Sequence, residues 1–207
     1  MQNDGADGST TFYFVRHGEI DANVENKWHG STDSLLNDKG IMQAKAMASY
    51  FHENIAYISM VYCSPLKRTL KTAQTLAERI DVPLEHEQGF REFSIGQLEG
   101  LPHEVLATKY GMFESMAKDH HFSVEGGESV INVRDRFLAA LSRLKQKHQG
   151  EQIAIVSHGA AIAIILAHFL DPAPYPFHHY HMVNTGISKL VWGDEPLLEV
   201  FNLAEHI

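Results

Sequence analysis

The chain has 207 residues, 44% of them apolar and 21% charged, with 17 Lys and Arg set against 26 Asp and Glu for a formal net charge of −9. This balance fits one globular domain with a sizeable core, and it leaves no basic stripe to neutralise a nucleic-acid backbone, so no nucleic-acid partner is expected. No apolar run is long enough to span a bilayer, and the longest, 160–170, is broken by His168 and predicts a buried helix, so no membrane partner is expected.

In chain order, residues 1–10 have neither a basic start nor an apolar stretch, so a flexible tail is expected there and not a secretory signal. Residues 11–207 are expected to form a single domain. The β-rich run 11–15 ends abruptly in Arg16-His17-Gly18, which predicts a buried strand followed by a loop. Asn37 or Asp38 can cap a helix running to about Glu53, with Ile41, Ala44, Ala48 and Phe51 on one face. A second strand is expected over 57–63. Ser64-Pro65 then supplies an N-cap and a first-turn proline for a helix carrying Leu66, Leu70, Ala73, Ala77 and Ile80 inward.

The segment 93–129 is punctuated by glycine and less periodic. It predicts a small helical insertion over the active site, with a short helix at 104–118. Val130, Val133, Phe137, Leu141 and Leu144 mark a long helix ending at Gly150. Another buried strand, 152–157, again ends in His-Gly and leads into a helix. Runs 186–192 and 197–202 flank a turn sequence and predict a hairpin or two edge strands.

Strands alternating with helices predict an α/β fold, a three-layer α/β/α sandwich with a mainly parallel sheet. Ligands of such sheets sit beyond the carboxyl ends of the strands. Arg16-His17, Ser64 to Arg68 and Ser157-His158-Gly159 all fall there. Phosphoryl transfer needs positive charge on the non-bridging oxygens, an in-line nucleophile and a proton for the leaving oxygen. Arg16 and Arg68 can grip phosphate in bidentate fashion, and Arg68 lies in a first helical turn whose dipole favours an anion. A neutral His17 can attack phosphorus, Gly18 can let the chain pass close to the ligand, and His158 can donate to the phosphoryl oxygens. A nearby carboxylic acid could protonate the leaving alkoxide.

Arg16-His17-Gly18-Glu19 followed by Asn23 resembles the signature of the histidine phosphatase superfamily, also called the phosphoglycerate mutase-like family. Further matches follow in that family's order: Gly30, Leu36 with Gly40, Ser64-Pro65-Leu66-Lys67-Arg68-Thr69, Arg91-Glu92-Phe93-Ser94-Ile95-Gly96 with Glu99-Gly100, Gly127-Glu128-Ser129, and Val156-Ser157-His158-Gly159. The resemblance implies that His17 is the phosphorylated residue and Glu92 the proton donor, with Arg16, Arg68 and His158 completing the phosphate pocket. Asn23, Gly18, His29, Gly30 and Gly159 would line the substrate site. Neither a metal nor a cofactor is implied.

Family members commonly carry Arg in place of Lys27, and Thr or Gln in place of His29, so specificity is where this chain departs from the pattern. Lys27 can bind an anion as a point charge or stand as a solvated lysine. The stretch Phe177-His178-His179-Tyr180-His181 lacks the carboxylate or cysteine spacing of a metal site and predicts a polar loop bordering the pocket. His120-His121 is bland in the same way. Cys63, the single cysteine, excludes an internal disulfide and fits a cytoplasmic location.

The resulting expectation is hydrolysis of a small-molecule phosphate ester through a phosphohistidine; a homodimer is compatible with the sequence. A bisphosphoglycerate-dependent phosphoglycerate mutase is the nearest rival. It would need extra basic residues over the pocket, and between Gly100 and Ser129 the chain offers Lys109 and Lys118 with no arginine. An inactive binding protein on the same fold is the third reading.

Overall fold

The computed structural model describes residues 8–172 and 177–207. Strand β1 (Thr10–Arg16) takes in Thr10, which the sequence places in the tail. Thr10 is fully buried and its hydroxyl donates to the carbonyl of His148 at 3.0 Å, which anchors the start of the strand. Residues 1–7 of the expected tail lie outside the described residues.

A short helix, α1 (Asp21–Val24), precedes α2 (Asp38–Asn54). The Asn37 side chain caps α2 by accepting the Gly40 N–H at 2.8 Å. Strand β2 (Met60–Cys63) is shorter than the expected 57–63, because Tyr57 sits at φ +40 and is 70% exposed, where an extended strand cannot continue. Helix α3 (Lys67–Ile80) also starts later than its Ser-Pro signal. Ser64 serves the site below, and is not the helix cap.

Strand β3 (Leu84–His86) has no counterpart in the sequence reading: it is short, and Glu85 and His86 give it no apolar pattern. The expected helix at 104–118 is two helices, α4 (His103–Thr108) and α5 (Met112–Lys118). Gly111 parts them in a left-handed conformation, φ +56. A reciprocal Ser129–Asn132 capping box opens α6 (Val130–Lys147). Strand β4 (Gln152–Ser157) leads into α7 (Gly159–Leu170), and β5 (Ile187–Trp192) and β6 (Pro196–Leu203) form the C-terminal hairpin.

The six-stranded sheet has the order β3-β2-β4-β1-β5-β6. β3, β2, β4 and β1 pair in parallel, and β5 pairs antiparallel with both β1 and β6. Alternation along the strands sends side chains to opposite faces. Phe12, Phe14, Tyr62, Ile153 and Ile155 pack with Val133, Phe137 and Leu141 of α6 and with α7. Tyr13, Val15, Val61, Cys63, Ala154 and Val156 pack with α2 and α3. This is the expected α/β/α sandwich. The 93–129 segment adds Phe93, Ile95, Leu106, Met112 and Met116 to the first core. Among the described residues no helix is long and apolar enough to cross a membrane.

Candidate active site

The parallel register puts Arg16 opposite Ser157 and Cys63 opposite Val156, so three strands end together and their following residues converge. A cavity of about 410 Å³ opens there, and Arg16, His17, Asn23, Arg68 and Glu92 line it. His29, Gly30 and Gly159 line it as well.

His17 is held at both ends. Its backbone N–H donates to Ser157 O at 3.0 Å, and its own carbonyl accepts from the Asn184 amide at 2.9 Å. The ring Nδ1 lies 2.7 Å from Gly18 O. A carbonyl can only accept, so Nδ1 carries the proton and Nε2 keeps its lone pair. Burial, then Arg68 and Arg16, push the ring's pKa well below the ordinary histidine value, against the Gly18 hydrogen bond.

Gly18 itself does not line the cavity. A Cβ there would lie 2.4 Å from the Gly40 carbonyl oxygen, so its small size serves a backbone crossing onto the start of α2 and not, as the sequence suggested, a close approach to ligand.

Arg68 is almost fully buried, and burial brings its pKa down to about 10 even though Glu92 opposes the shift. Its Nη2 donates to Gly30 O at 2.7 Å and Nη1 to Thr32 O at 2.8 Å. Arg16 donates through Nη1 to Met182 O at 2.7 Å and to His181 Nε2 at 3.2 Å. The Nε of each arginine is buried without a partner.

His158 stands just behind the cavity wall, its ring 5.3 Å from that of His17. Ser64 Oγ accepts the Leu66 N–H at 3.4 Å and lies 2.8 Å from His158 Nε2, a contact that orients the ring in either tautomer. The His158 Nδ1 is buried and unpartnered. Orphaned buried donors are costly, and the two arginine N–H groups at this end of the cavity are suited to an anion.

Glu92 reaches the N-terminus of α7. Its Oε1 accepts from Phe93 N at 2.8 Å and Ala161 N at 3.0 Å, and Oε2 from Ala160 N at 3.3 Å. Arg136 holds the segment beneath it, donating to the carbonyls of Gly89 and Arg91 at 2.7 Å and of Glu92 at 2.9 Å. Glu128 fixes Arg136 through Nε at 2.7 Å and accepts the Ser94 N–H at 3.1 Å.

Glu99 does the corresponding work for Arg68. It accepts from Ser31 N, Thr32 N, the Thr32 hydroxyl and the Ser94 hydroxyl, all within 2.9 Å. It thereby shapes the loop whose carbonyls grip Arg68. Gly30 sits in this loop at φ +56, and a Cβ on it would lie 2.3 Å from Glu99 Oε1.

Glu99 and Glu128 fall inside sequence motifs that do not show what they hold, and nothing in the sequence signals Arg136 or Asn184. Lys27 lines the cavity with its ammonium 2.6 Å from Glu25. His178 and His181 line it, as the polar-loop reading expects, and His120 and His121 do not. Residues 173–176 lie outside the described residues. Among the described residues no group of three or more His, Cys, Asp or Glu is arranged to hold a metal ion.

Residues 12–202 match the family model described as the histidine phosphatase superfamily, branch 1. The chain belongs to the histidine phosphatase superfamily. Within that superfamily it is 28% identical over 201 residues to a protein named uncharacterized phosphatase PhoE of Bacillus subtilis, across 96% of this chain and 97% of that one. Its fold is similar to a phosphoserine phosphatase mutant of Entamoeba histolytica in complex with phosphoserine, with a TM-score of 0.83 and 31% identity over 96% of this chain and 99% of the other. It is also similar to a mycobacterial glucosyl-3-phosphoglycerate phosphatase in complex with VO3, with a TM-score of 0.84 and 26% identity over 94% and 99% of the two chains.

Proposed function

We propose that this histidine phosphatase hydrolyses a small phosphomonoester through a phosphohistidine on Nε2 of His17. The observation that carries the reading is the 2.7 Å contact from His17 Nδ1 to Gly18 O, which leaves Nε2 as the lone-pair nitrogen of a neutral ring. Phosphatase activity on small phosphorylated metabolites is supported by relatives named for phosphoserine and glucosyl-3-phosphoglycerate.

In the first step the Nε2 lone pair attacks phosphorus and the bond to the ester oxygen breaks. Glu92 passes its proton to that oxygen, so the product leaves as an alcohol. Oε2 is the less tightly held Glu92 oxygen and the one suited to carry the proton. In the second step Glu92 takes a proton from water, the water oxygen attacks phosphorus, and the P–N bond breaks. Inorganic phosphate leaves and His17 is restored. Arg16, Arg68 and His158 stabilise the phosphoryl oxygens throughout.

Positive charge around the phosphate comes from side chains in this reading, so turnover persists in EDTA. Hydrolysis is favoured over mutase chemistry because Lys109 and Lys118, the basic residues of the segment over the pocket, do not line it. The test is acid-labile phosphate trapped on the protein during turnover. His17→Ala abolishes both the label and the activity. Activity that vanishes in EDTA, or that needs bisphosphoglycerate, overturns the reading.

A further inference from the structure

The phosphate end occupies one part of the cavity, and the remaining wall has a different chemistry. Trp28, His103, Phe113, Phe177, Ala160 and Ala163 line it. The Trp28 indole N–H donates to Phe93 O at 3.1 Å, so the ring has only carbon and its π-face to offer a ligand. Trp28 packs 5.7 Å from the His103 ring and 6.2 Å from Phe113, while His103 and Phe113 lie nearly parallel at 19°. His103 is itself fixed by its Nδ1 contact with Asn26 O at 2.9 Å. The wall is therefore assembled from several segments and braced before any ligand arrives.

Charge is equally informative. Among the described residues the lysines and arginines lining the cavity are Arg16, Arg68 and Lys27. Both arginines belong to the phosphate end, anchored by the carbonyls of Met182, Gly30 and Thr32. The Lys27 ammonium is paired with Glu25. His29 and His181 are driven toward the neutral form, chiefly by burial and then by the arginine next to each. Among the described residues, a substrate carboxylate would meet no unpaired lysine or arginine on this wall, and it would add negative charge near Glu92.

We infer that the natural ester, on the phosphatase reading above, joins its phosphate to an uncharged aromatic or aliphatic group that packs against Trp28 and Phe113, and not to a carboxylate-bearing group such as serine or glycerate. A phosphate fills a small part of about 410 Å³, so a ring system can be enclosed. The buried, unpartnered His29 Nε2 offers such a group one polar contact, suited to a hydroxyl or a ring nitrogen. This departs from the two phosphatases named above for phosphoserine and glucosyl-3-phosphoglycerate, whose substrates carry carboxylates.

The test compares kcat/KM of the intact chain for 2-phenylethyl phosphate, phosphoserine, 3-phosphoglycerate and ethyl phosphate, all of them alkyl esters. The phenylethyl ester is expected to exceed each of the others at least fivefold, and Phe113→Ala to shrink its advantage over ethyl phosphate at least threefold. Binding of 2-phenylethylphosphonate against 3-phosphonopropionate, read by calorimetry on the unaltered chain, is expected to show the same order. A ratio below five for either carboxylate-bearing ester overturns the inference and leaves the phosphatase standing. Turnover of none of the four esters, with no label on His17, overturns the phosphatase reading and this inference with it.

Discussion

Arg136 donates to the main-chain carbonyl of Glu92 at 2.9 Å from a helix more than forty residues further along the chain. The same guanidinium grips the carbonyls of Gly89 and Arg91 and is clamped by Glu128. It touches no substrate. Its effect on chemistry must pass through the placement of the Glu92 carboxylate, which makes it a positioning residue. Arg136→Met is therefore expected to lower kcat on alkyl phosphates about tenfold or more, within the range of general acid–base catalysis. The loss should be several times smaller on p-nitrophenyl phosphate, whose leaving group needs no proton. Equal losses on both esters would show a merely structural role.

Glu92→Gln carries the same signature more strongly. It keeps the shape of the side chain but has no proton to give. A fall of roughly 10²- to 10⁴-fold on ethyl phosphate is expected, with a much smaller one on p-nitrophenyl phosphate. Full activity on the alkyl ester would remove Glu92 from the mechanism.

Gly30→Ala tests the support of Arg68. The new Cβ would lie 2.3 Å from Glu99 Oε1 and would hold a non-glycine residue at φ +56. A stability loss of about 1–3 kcal/mol is expected from the strain. The Gly30 carbonyl also orients Arg68, so inhibition by inorganic phosphate should weaken along with it. Glu99→Gln disturbs the loop without adding volume and should weaken phosphate inhibition in the same direction. Phosphate inhibition unchanged in both variants would count against this route to Arg68.

Gly18→Ala addresses the backbone crossing. Gly18 and Gly40 approach so closely that a Cβ on either would meet carbonyl oxygen, at 2.4 Å on Gly40 O and 2.2 Å on Glu19 O respectively. Neither partner is a flexible side chain. A loss of about 2–4 kcal/mol is expected for each, a melting-temperature drop on the order of 5–15 °C for a chain of this size. A drop below 2 °C would mean that the loop shifts without cost.

The buried histidines set a pH dependence of stability. His17 and His158 both have pKa values well below the ordinary histidine value, through burial first and Arg68 second. The unfolded chain takes up protons at these rings near pH 6.5, and the folded chain does so only at lower pH. Their contribution is complete above about pH 6.5 and is lost as pH falls toward the folded values, at up to about 1.4 kcal/mol per pH unit for each ring. Urea unfolding at pH 7.5, 6.5 and 5.5 should show this slope, and His158→Asn should flatten it. An identical slope in the variant would assign the acid sensitivity to other groups.

The layered α/β plan and the loop that carries His17 were legible in the sequence because both are local. Residues 11–15 and 152–157 are apolar runs ending in His-Gly, and helix periodicity with an Asn37 cap marks α2. Short or irregular elements escaped that logic. Strand β3 has no apolar pattern, and the register of Tyr57 turns on a left-handed backbone that no propensity announces. Ser64 looked like a helix cap and instead orients His158.

By itself, then, the sequence determined which residue types stand at the ends of the strands, and with them the candidate nucleophile, arginines and second histidine. Only the tertiary structure decided what surrounds them. Glu92 meets the first N–H groups of α7, Glu99 braces the loop that holds Arg68, and Trp28, His103, Phe113 and Phe177 come from separate segments to form one wall. The physical reason is that each of these contacts joins residues far apart along the chain. Local propensity acts over a few neighbours, whereas the packing of α7 and of the 93–129 segment against the sheet is settled by the whole core at once.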